Sequence, residues 1–307
     1  GLIKPPVVKK KNNFLFFFEG YIYKKECLNE ADLLLEGYIK LFNNKIYKTK
    51  KILNWHKDYE LNKEFDNKFL HWSKVSIFED TDIKRIWDIS RWNWAPLLAR
   101  AFILSRNKKY IDFLNKLIIS WCRENPINTG INWADGQETS IRLINALISF
   151  DIIERFSNCK ISDDKINFIK IHLDRIKQTY FYEKSQQNNH WISVASAMYI
   201  GGGWLYKNDL KNMYFANSFY LLGKKELESS VSKLIHKDGT FSQFSMNYHR
   251  FVLDTLNQVE FWRINLKLPN FSNKYLSAIK KLTWWYLYFI DPISGRTSNI
   301  GHNDGSL

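Results

Sequence analysis

The chain has 307 residues, of which 45% are hydrophobic, so it is long enough to bury a large core. Its formal net charge of +14 favours an anionic partner, and the early apolar run at 14–18 is far shorter than a membrane-spanning helix of ~20 residues. Three widely spaced cysteines, Cys27, Cys122 and Cys159, exclude a disulfide framework and a CxxC metal site. We therefore predict one large domain without a membrane span.

The first part of the chain has little regular periodicity. Residues 1–25 combine Pro5 and Pro6 with basic and aromatic runs, which predicts an extended N-terminal arm. Asn29 precedes acidic residues and predicts the start of a first helix that continues to Phe42. Residues 43–80 are rich in Trp, His, Asn and Lys and are predicted to be irregular.

From residue 80 onward, apolar residues recur at helical spacing in one segment after another. Residues 80–105 predict a helix bent near Pro96, and residues 108–125 predict another that ends before Pro126. Further helices are predicted over 135–156, 162–183, a segment from Asn189, 214–236, 246–265 and 272–290. No segment between them alternates like a strand, so the predicted fold class is all-α.

The number of helices restricts the architecture. Consecutive helices joined by short loops pack as antiparallel hairpins, and this chain has too many for a four-helix bundle. A helical solenoid would show a fixed-period repeat, which the sequence lacks. We favour an incomplete α/α toroid, a ring of helical hairpins with apolar inner helices. The segment NNHWISVASAMYIGGGW, from Asn188 to Trp204, has the small apolar residues of such an inner helix.

Four ordered segments resemble the helical domain of the heparinase II/III family of polysaccharide lyases, to which exo-acting alginate lyases are related. They are DIKRIWDISRWNW from 82, ENPINTGINWADGQETSIRLINAL from 124, NNHW from 188 and DGTFSQFSMNYHR from 238. A fifth, SNIGHNDGSL from 298, resembles the exit from that domain. The resemblance implies a toroid over 26–300 and a linker starting at 301–307, with the family's C-terminal β-sandwich expected beyond this chain. It implies a periplasmic or secreted protein, although a cytoplasmic location stays open.

The resemblance also implies β-elimination on an acidic, uronate-containing polysaccharide, and we predict no cofactor. This reaction removes a weakly acidic proton next to a carboxylate, so the carboxylate charge must be neutralised. Asn189, helped by His190, matches the family's position for this role, although an Asn there could also be a helix N-cap. Tyr248 matches the position for proton transfer to the leaving oxygen. Because a phenol with a pKa near ~10 is a poor base, a cation is needed beside it, and His190, His249 and Arg250 are candidates.

Further residues are predicted to bind the substrate. An indole can stack on a sugar ring and an arginine can grip a carboxylate or sulfate, which suggests cleft positions for Trp133, Arg91 and Gln243. The other predicted substrate-binding residues lie in the same motifs: Glu138, Arg142, His249 and Arg250. Packing in the core or at the surface is the alternative for each. Glu138 and Arg142, four residues apart, also predict an intrahelical ion pair.

Two features depart from the family or are absent. Family members commonly place an acidic residue shortly after the histidine, whereas His190 is followed by Trp191, Ile192, Ser193 and Val194. The seven histidines show no HExxH or paired-ligand spacing, so no metal site is predicted.

Two other functions stay open. A toroidal glycoside hydrolase would use a carboxylate pair such as Asp135 and Glu138, separated by ~5–5.5 Å or by roughly 6.5–9.5 Å according to its stereochemistry. A non-catalytic domain could instead hold an anionic glycan during assembly or export. Nucleic acid is not a predicted partner, because no helix-turn-helix, zinc finger or RNA-binding aromatic motif is present.

Overall fold

The computed structural model describes residues 21–42, 45–50, 52–65, 68–75, 82–157 and 163–303. Within these ranges the chain forms ten α-helices: α1 (Tyr21–Leu35), α2 (Lys84–Ser90), α3 (Trp94–Ser105), α4 (Lys108–Glu124), α5 (Gly136–Ser157), α6 (Asp163–Ser185), α7 (Asn189–Asn208), α8 (Met213–Leu234), α9 (Met246–Asn265) and α10 (Asn273–Leu287). None of these helices is long and apolar enough to cross a membrane. Most of the predicted arm (1–20), Cys159 and the linker residues 304–307 lie outside the described residues.

Four short strands form two antiparallel hairpins that precede α2. They are β1 (Tyr38–Leu41) with β2 (Lys45–Lys48), and β3 (Lys57–Asp58) with β4 (Lys63–Glu64). Residues 43–80, which were predicted to be irregular, therefore contain β2, β3 and β4. The strands are too short to show the alternation of polar and apolar residues by which strands are recognised in a sequence.

Helices α3 to α10 form four consecutive helical hairpins. The inner helices are α3, α5, α7 and α9, and each packs against the next one in this series. The second helix of each hairpin packs on the outside of its partner. This arrangement confirms the predicted all-α class and the incomplete α/α toroid. Helix α7 lies in the middle, packed on α5, α6, α8 and α9, and is buried from Trp191 to Leu205.

The α7–α8 hairpin is packed so closely that it requires glycine at two positions. A Cβ atom on Gly202 would meet the backbone nitrogen of Tyr220, and one on Gly223 would overlap the backbone of Tyr199. Any larger residue would force the two helix axes apart. The small residues recognised in the sequence of α7 are therefore explained by packing.

Helix α1 differs from its prediction at both ends. Residues 21–25, which were assigned to the extended arm, are its first turn, and Asn29 lies inside it rather than at its start. Gly37 follows the helix with a φ of 88°, a left-handed conformation that is typical just after a helix C-terminus. The chain therefore turns into β1 instead of continuing as a helix to Phe42.

The helix predicted over 80–105 is divided into α2 and α3. Trp92, between them, has a φ of 64°, so the chain bends there and not at Pro96. Pro96 lies in the first turn of α3, where the missing N–H would have no helical partner in any case. From α4 onward, every predicted helix boundary lies within three residues of the observed one.

Candidate active site

The NNHW motif and the motif that contains Tyr248 meet at one end of the toroid. The backbone N–H of Asn189, the first residue of α7, donates a hydrogen bond to Oε1 of Gln243 at 3.0 Å. Gln243 lies in the loop before α9, and Tyr248 lies in the first turn of that helix. This hydrogen bond therefore joins the starts of two neighbouring inner helices.

Neither Asn189 nor Tyr248 is the N-cap of its helix. Asn188, not Asn189, is the N-cap of α7, because its Oδ1 accepts a hydrogen bond from the backbone N–H of His190 at 2.9 Å. Ser245 is the N-cap of α9, and its Oγ accepts from the backbone N–H of Tyr248 at 3.3 Å. Asn189 therefore does not take the N-cap role that was its alternative.

The Asn189 amide is held by polar side chains. It is 2% exposed, and its Nδ2 donates to Oε1 of Gln137 at 2.6 Å. The hydroxyl of Ser193, one turn further along α7, lies 3.1 Å from the same Gln137 oxygen and 3.1 Å from the backbone carbonyl of Asn189, and it donates to these two acceptors. The hydrogen bond to Gln137 sets the orientation of the Asn189 amide, and Nδ2 keeps a second N–H for another acceptor.

His190 lies against two carboxylates. Its Nδ1 is 2.9 Å from Oε2 of Glu183 and 3.8 Å from Oδ2 of Asp135. Burial lowers the pKa of His190, but the hydrogen bond to Glu183 and the charge of Asp135 outweigh it, and the pKa lies above its usual value. Burial and the charge of Glu183 raise the pKa of Asp135 to about 6. We call these three residues the carboxylate–histidine cluster.

The carboxylate–histidine cluster has donor atoms of the types that bind divalent cations, all within 4.8 Å of one another. However, Glu183 already accepts hydrogen bonds from the backbone of Gly136 at 3.1 Å and from Nε2 of Gln186 at 2.9 Å, in addition to the one from His190. Its oxygens are therefore occupied by protein donors. We assign no metal ion to this cluster.

Tyr248 lies beside the C-terminal part of the described chain. Its half-buried ring packs on the core around α7 and lies parallel to the exposed His302 ring, with the centroids 6.2 Å apart. The backbone N–H of Met246 donates to the carbonyl of Ile300 at 2.9 Å, and the Ser245 hydroxyl donates to the carbonyl of His302. The segment after α10 thus returns to the start of α9.

The structure does not support a substrate or cation role for His249. This residue is 1% exposed, and its Nε2 donates to the backbone carbonyl of Leu282 at 2.9 Å. Its ring stacks on Trp285 with a centroid distance of 4.6 Å, and burial lowers its pKa. His249 therefore belongs to the interface between α9 and α10, whereas the next residue, Arg250, is exposed.

Trp133 and Arg142 were predicted to bind substrate, and both are core residues. Trp133 is 2% exposed and donates from Nε1 to the carbonyl of Asn125 at 3.2 Å. The Arg142 guanidinium is fully buried between the rings of Trp133 and Trp121, at 5.0 and 4.5 Å, and its Nε donates to Nε2 of His172 at 3.0 Å. We call these four residues, Trp121, Trp133, Arg142 and His172, the tryptophan–arginine cluster. The polar groups of Trp133 and Arg142 are bound by other residues of the protein, so we assign both side chains to the core and not to a polysaccharide site.

Glu138 and Arg91 bind each other instead of substrate. Nε and Nη2 of Arg91 each lie 2.7 Å from one oxygen of Glu138, which makes a bidentate ion pair. Arg91 is 7% exposed and Glu138 is 3% exposed. The predicted intrahelical pair between Glu138 and Arg142 is wrong, because Glu138 is bound by Arg91 from the end of α2.

Two residues of the site were not predicted from the sequence. Gln137 lies inside the second motif, but its partner Asn189 is 52 residues away. Glu183 lies seven residues before His190, near the end of the preceding helix. The spacing of residues along one helix does not reveal a partner on another helix. The one signal in the sequence is that Gln137 and Glu183 lie in or near the motifs that resemble the family.

Comparisons with known proteins agree with the helical fold described above. The protein-family model described as Heparinase II/III N-terminus matches residues 24–299 of this chain. Among solved structures, a heparinase III superposes with a TM-score of 0.60 at 18% identity, covering 89% of this chain and 40% of its own. The heparan sulfate lyase HepC from Pedobacter heparinus gives a TM-score of 0.53 at 19% identity, covering 89% of this chain and 39% of its own. A search of curated proteins finds no match.

The present chain spans about two fifths of the length of these structures. At such low identities the likeness shows the fold alone.

Proposed function

The chain belongs to the heparinase II/III family, and from this premise we propose that it is the helical domain of a lyase that cleaves an acidic, uronate-containing polysaccharide by β-elimination. The observation that carries this proposal is the hydrogen bond at 3.0 Å from Asn189 to Gln243, which brings NNHW to the motif of Tyr248. Two residue types that the reaction needs, an amide donor and a phenol, thus lie at the starts of adjacent inner helices.

The first task of the site is to neutralise the uronate carboxylate. In the proposal, the free amide N–H of Asn189 and the imidazole of His190 donate to its oxygens. These hydrogen bonds become stronger as the proton leaves the neighbouring carbon and charge moves onto the carboxylate. One such donor in a site shielded from water contributes about 2.7–4 kcal/mol to the stabilisation of the transition state.

The second task is proton transfer. In the proposal, Tyr248 donates its phenolic proton to the glycosidic oxygen as the C–O bond breaks, and it or another base takes the proton from the carbon next to the carboxylate. A carbon–carbon double bond forms in the uronate as the leaving chain departs with a new hydroxyl. A general acid or base of this kind contributes roughly 10²–10⁴-fold to the rate.

In the whole protein, we propose that a C-terminal β-sandwich covers one side of the cleft, as the resemblance implies. The related structures contain additional chain beyond the part that superposes. The net charge of the chain, +14, favours the binding of an acidic polysaccharide.

The geometry gives little support to the glycoside hydrolase alternative. Oδ1 of Asp135 accepts the backbone N–H of Glu138 at 2.9 Å, so the two carboxylates belong to one turn at the start of α5. Glu138 is in addition held in its ion pair with Arg91. A pair on one turn does not face a sugar from two sides, as the hydrolytic mechanism requires.

The proposal is tested with the full-length protein and a panel of uronate polymers. Elimination produces an unsaturated uronate, whose ultraviolet absorbance rises during digestion. We expect Tyr248→Phe to abolish this rise and to retain binding of the polymer, whereas Tyr214→Phe, at a position that is 92% exposed, retains both. Equal turnover by the Tyr248→Phe variant would remove the phenol from the mechanism. Binding of the polymer without turnover by the wild type would favour the non-catalytic glycan-binding function.

A further inference from the structure

The imidazole of His190 is bound on one edge and open on the other. Nδ1 lies 2.9 Å from Oε2 of Glu183 and 3.8 Å from Oδ2 of Asp135. Nε2 has no hydrogen-bond partner in the described part of the chain. The histidine side chain is 24% exposed, whereas that of Glu183 is 1% exposed. The accessible edge of the ring is therefore the one that carries Nε2.

The charges around His190 favour its protonated form. Three carboxylates lie in this region, from the loop before α5, from α5 and from α6: Asp135, Glu138 and Glu183. Two guanidinium groups face these carboxylates, from the end of α2 and from α6: Arg91 and Arg175. Further out, Asp88 and Arg142 add one charge of each sign. A neutral His190 would thus leave one negative charge unbalanced in a mostly buried region, which is unfavourable.

The protonation state decides what His190 offers to a substrate. With Nδ1–H donated to Glu183, a neutral ring presents a lone pair at Nε2, which repels a carboxylate. A doubly protonated ring presents an N–H and a positive charge at the same point. Only the second form can help to neutralise a uronate.

Resting on the proposed function, we infer that Glu183 and Asp135 are positioning residues that hold His190 by Nδ1 as an imidazolium, so that Nε2–H faces the carboxylate of a bound uronate. The raised pKa of His190 agrees with this assignment. The residues that follow His190 in α7 are Trp191, Ile192 and Ser193, and its acidic partners come from α6 and from the loop before α5.

The inference is tested by nuclear magnetic resonance titration of the histidine-labelled 307-residue chain, with His190→Gln to identify the signal. We expect His190 to titrate above the unperturbed value of about 6.5, and Glu183→Gln to lower its midpoint by about one pH unit or more. Asp135→Asn should lower it by a smaller amount, because Asp135 is further from Nδ1. An unchanged midpoint in Glu183→Gln, or a wild-type midpoint below about 6.5, would overturn the inference.

A matched control is Glu226→Gln. Glu226 is another buried carboxylate, which accepts from Nε1 of Trp191 at 2.9 Å and pairs with Lys184 at 2.9 Å. Its substitution should leave the His190 midpoint in place. Where Glu183→Gln does not fold, as judged by circular dichroism, the midpoint of Asp135→Asn decides in the same way.

A second readout separates positioning from simple stabilisation. In Glu183→Gln, the affinity for a uronate oligosaccharide should be lower than that of the wild type at pH 7. It should recover at a pH about one unit below the unperturbed histidine pKa of about 6.5, because His190 is then protonated from solvent. A loss of affinity that is the same at every pH would contradict the inference. The titration itself requires no substrate. A Glu183-dependent midpoint in a full-length protein without lyase activity would therefore support the positioning of His190 by Glu183 and overturn the proposed function.

Discussion

Two clusters that share helix α6 show how two histidines of the same chain come to have different surroundings. The tryptophan–arginine cluster contains His172, and the carboxylate–histidine cluster contains His190. His172 is enclosed by rings, donates from Nδ1 to the carbonyl of Phe168 at 2.8 Å and accepts from Arg142. His190 is partly exposed and faces two carboxylates. The partners of each imidazole, and not the residue type, distinguish the enclosed histidine from the one that we propose to bind substrate.

The pKa values of the two histidines are accordingly shifted in opposite directions. Burial and the adjacent Arg142 charge hold the pKa of His172 well below its usual value. The carboxylates around His190 outweigh its burial and raise its pKa. A cation beside a buried ring keeps it neutral, and a carboxylate keeps it charged.

The largest predicted effect concerns the amide at the start of α7. Asn189→Ala should reduce kcat by about 10²–10³-fold, because it removes one donor to the carboxylate. Trp133→Phe, in the tryptophan–arginine cluster, should leave kcat almost unchanged, since this ring is enclosed. Initial rates of unsaturated-uronate formation, measured on folded variants, compare the two. An equal loss of rate in both variants would contradict the assignment of Asn189 to the active site and of Trp133 to the core.

The next effect is on stability. Arg142→Ala opens a cavity between two tryptophan rings and removes the donor to His172, so the free energy of unfolding should fall by about 2–4 kcal/mol. Arg123→Ala, at a side chain that is 70% exposed, should change it by less than about 0.5 kcal/mol. Urea titrations measure both values. A loss near zero for Arg142→Ala would show that the cluster does not stabilise the core.

The pH dependence of stability should differ between the two histidines. Below about pH 6.5 the unfolded chain takes up a proton at His172 that the folded chain does not, so this residue costs about 1.4 kcal/mol for each unit below that pH. The contribution of His190 has the opposite sign: it is fully present below about pH 6.5 and is lost as the pH rises through its raised pKa.

Free energies of unfolding at several pH values test this difference. His172→Gln should reduce the loss of stability on the acid side, whereas His190→Gln should reduce the loss on the alkaline side. The amide of Gln can still accept the hydrogen bond from Arg142 but does not titrate. The same pH profile in both variants would contradict the opposite assignments.

The smallest predicted effect concerns Ser193. Its hydroxyl is a second donor to Gln137. Ser193→Ala should therefore lower the free energy of unfolding by about 1 kcal/mol or less and reduce kcat only by a few-fold. Ser196→Ala is the matched control, because that hydroxyl donates only to the carbonyl of Ile192, at 2.7 Å. If Ser196→Ala changes kcat as much as Ser193→Ala does, the effect of Ser193→Ala does not come from the lost hydrogen bond to Gln137.

Much of the fold could be predicted from local signals. Helices α4 to α10 were predicted because apolar residues recur at helical spacing and because prolines or capping residues mark their ends. The hairpins before α2 were missed, since strands of two to four residues leave no clear period. The end of α1 depends on Gly37, and a glycine inside an apolar pattern can either continue a helix or end it.

The site was predicted only in part. The motifs pointed to the segments of Asn189 and Tyr248, whose meeting the structure describes. The roles of Trp133 and Arg142 were misjudged, because an aromatic and a cation look the same in a sequence whether they line a cleft or fill a core. Glu183 could not be found, because its relation to His190 arises only when α6 and α7 pack.

The most direct test of the central proposal is digestion of uronate polysaccharides by the full-length protein in water labelled with heavy oxygen. Elimination breaks the C–O bond without adding water, so the products should be lighter by one water than the products of hydrolysis, and label should enter only by the slow exchange of the new anomeric hydroxyl with water. The wild type should yield such products, and Tyr248→Phe should not. Products that have the full mass of hydrolysis products, with one labelled oxygen for each bond cut from the start of the digestion, would contradict the account, because they would show that the glycosidic bond is hydrolysed.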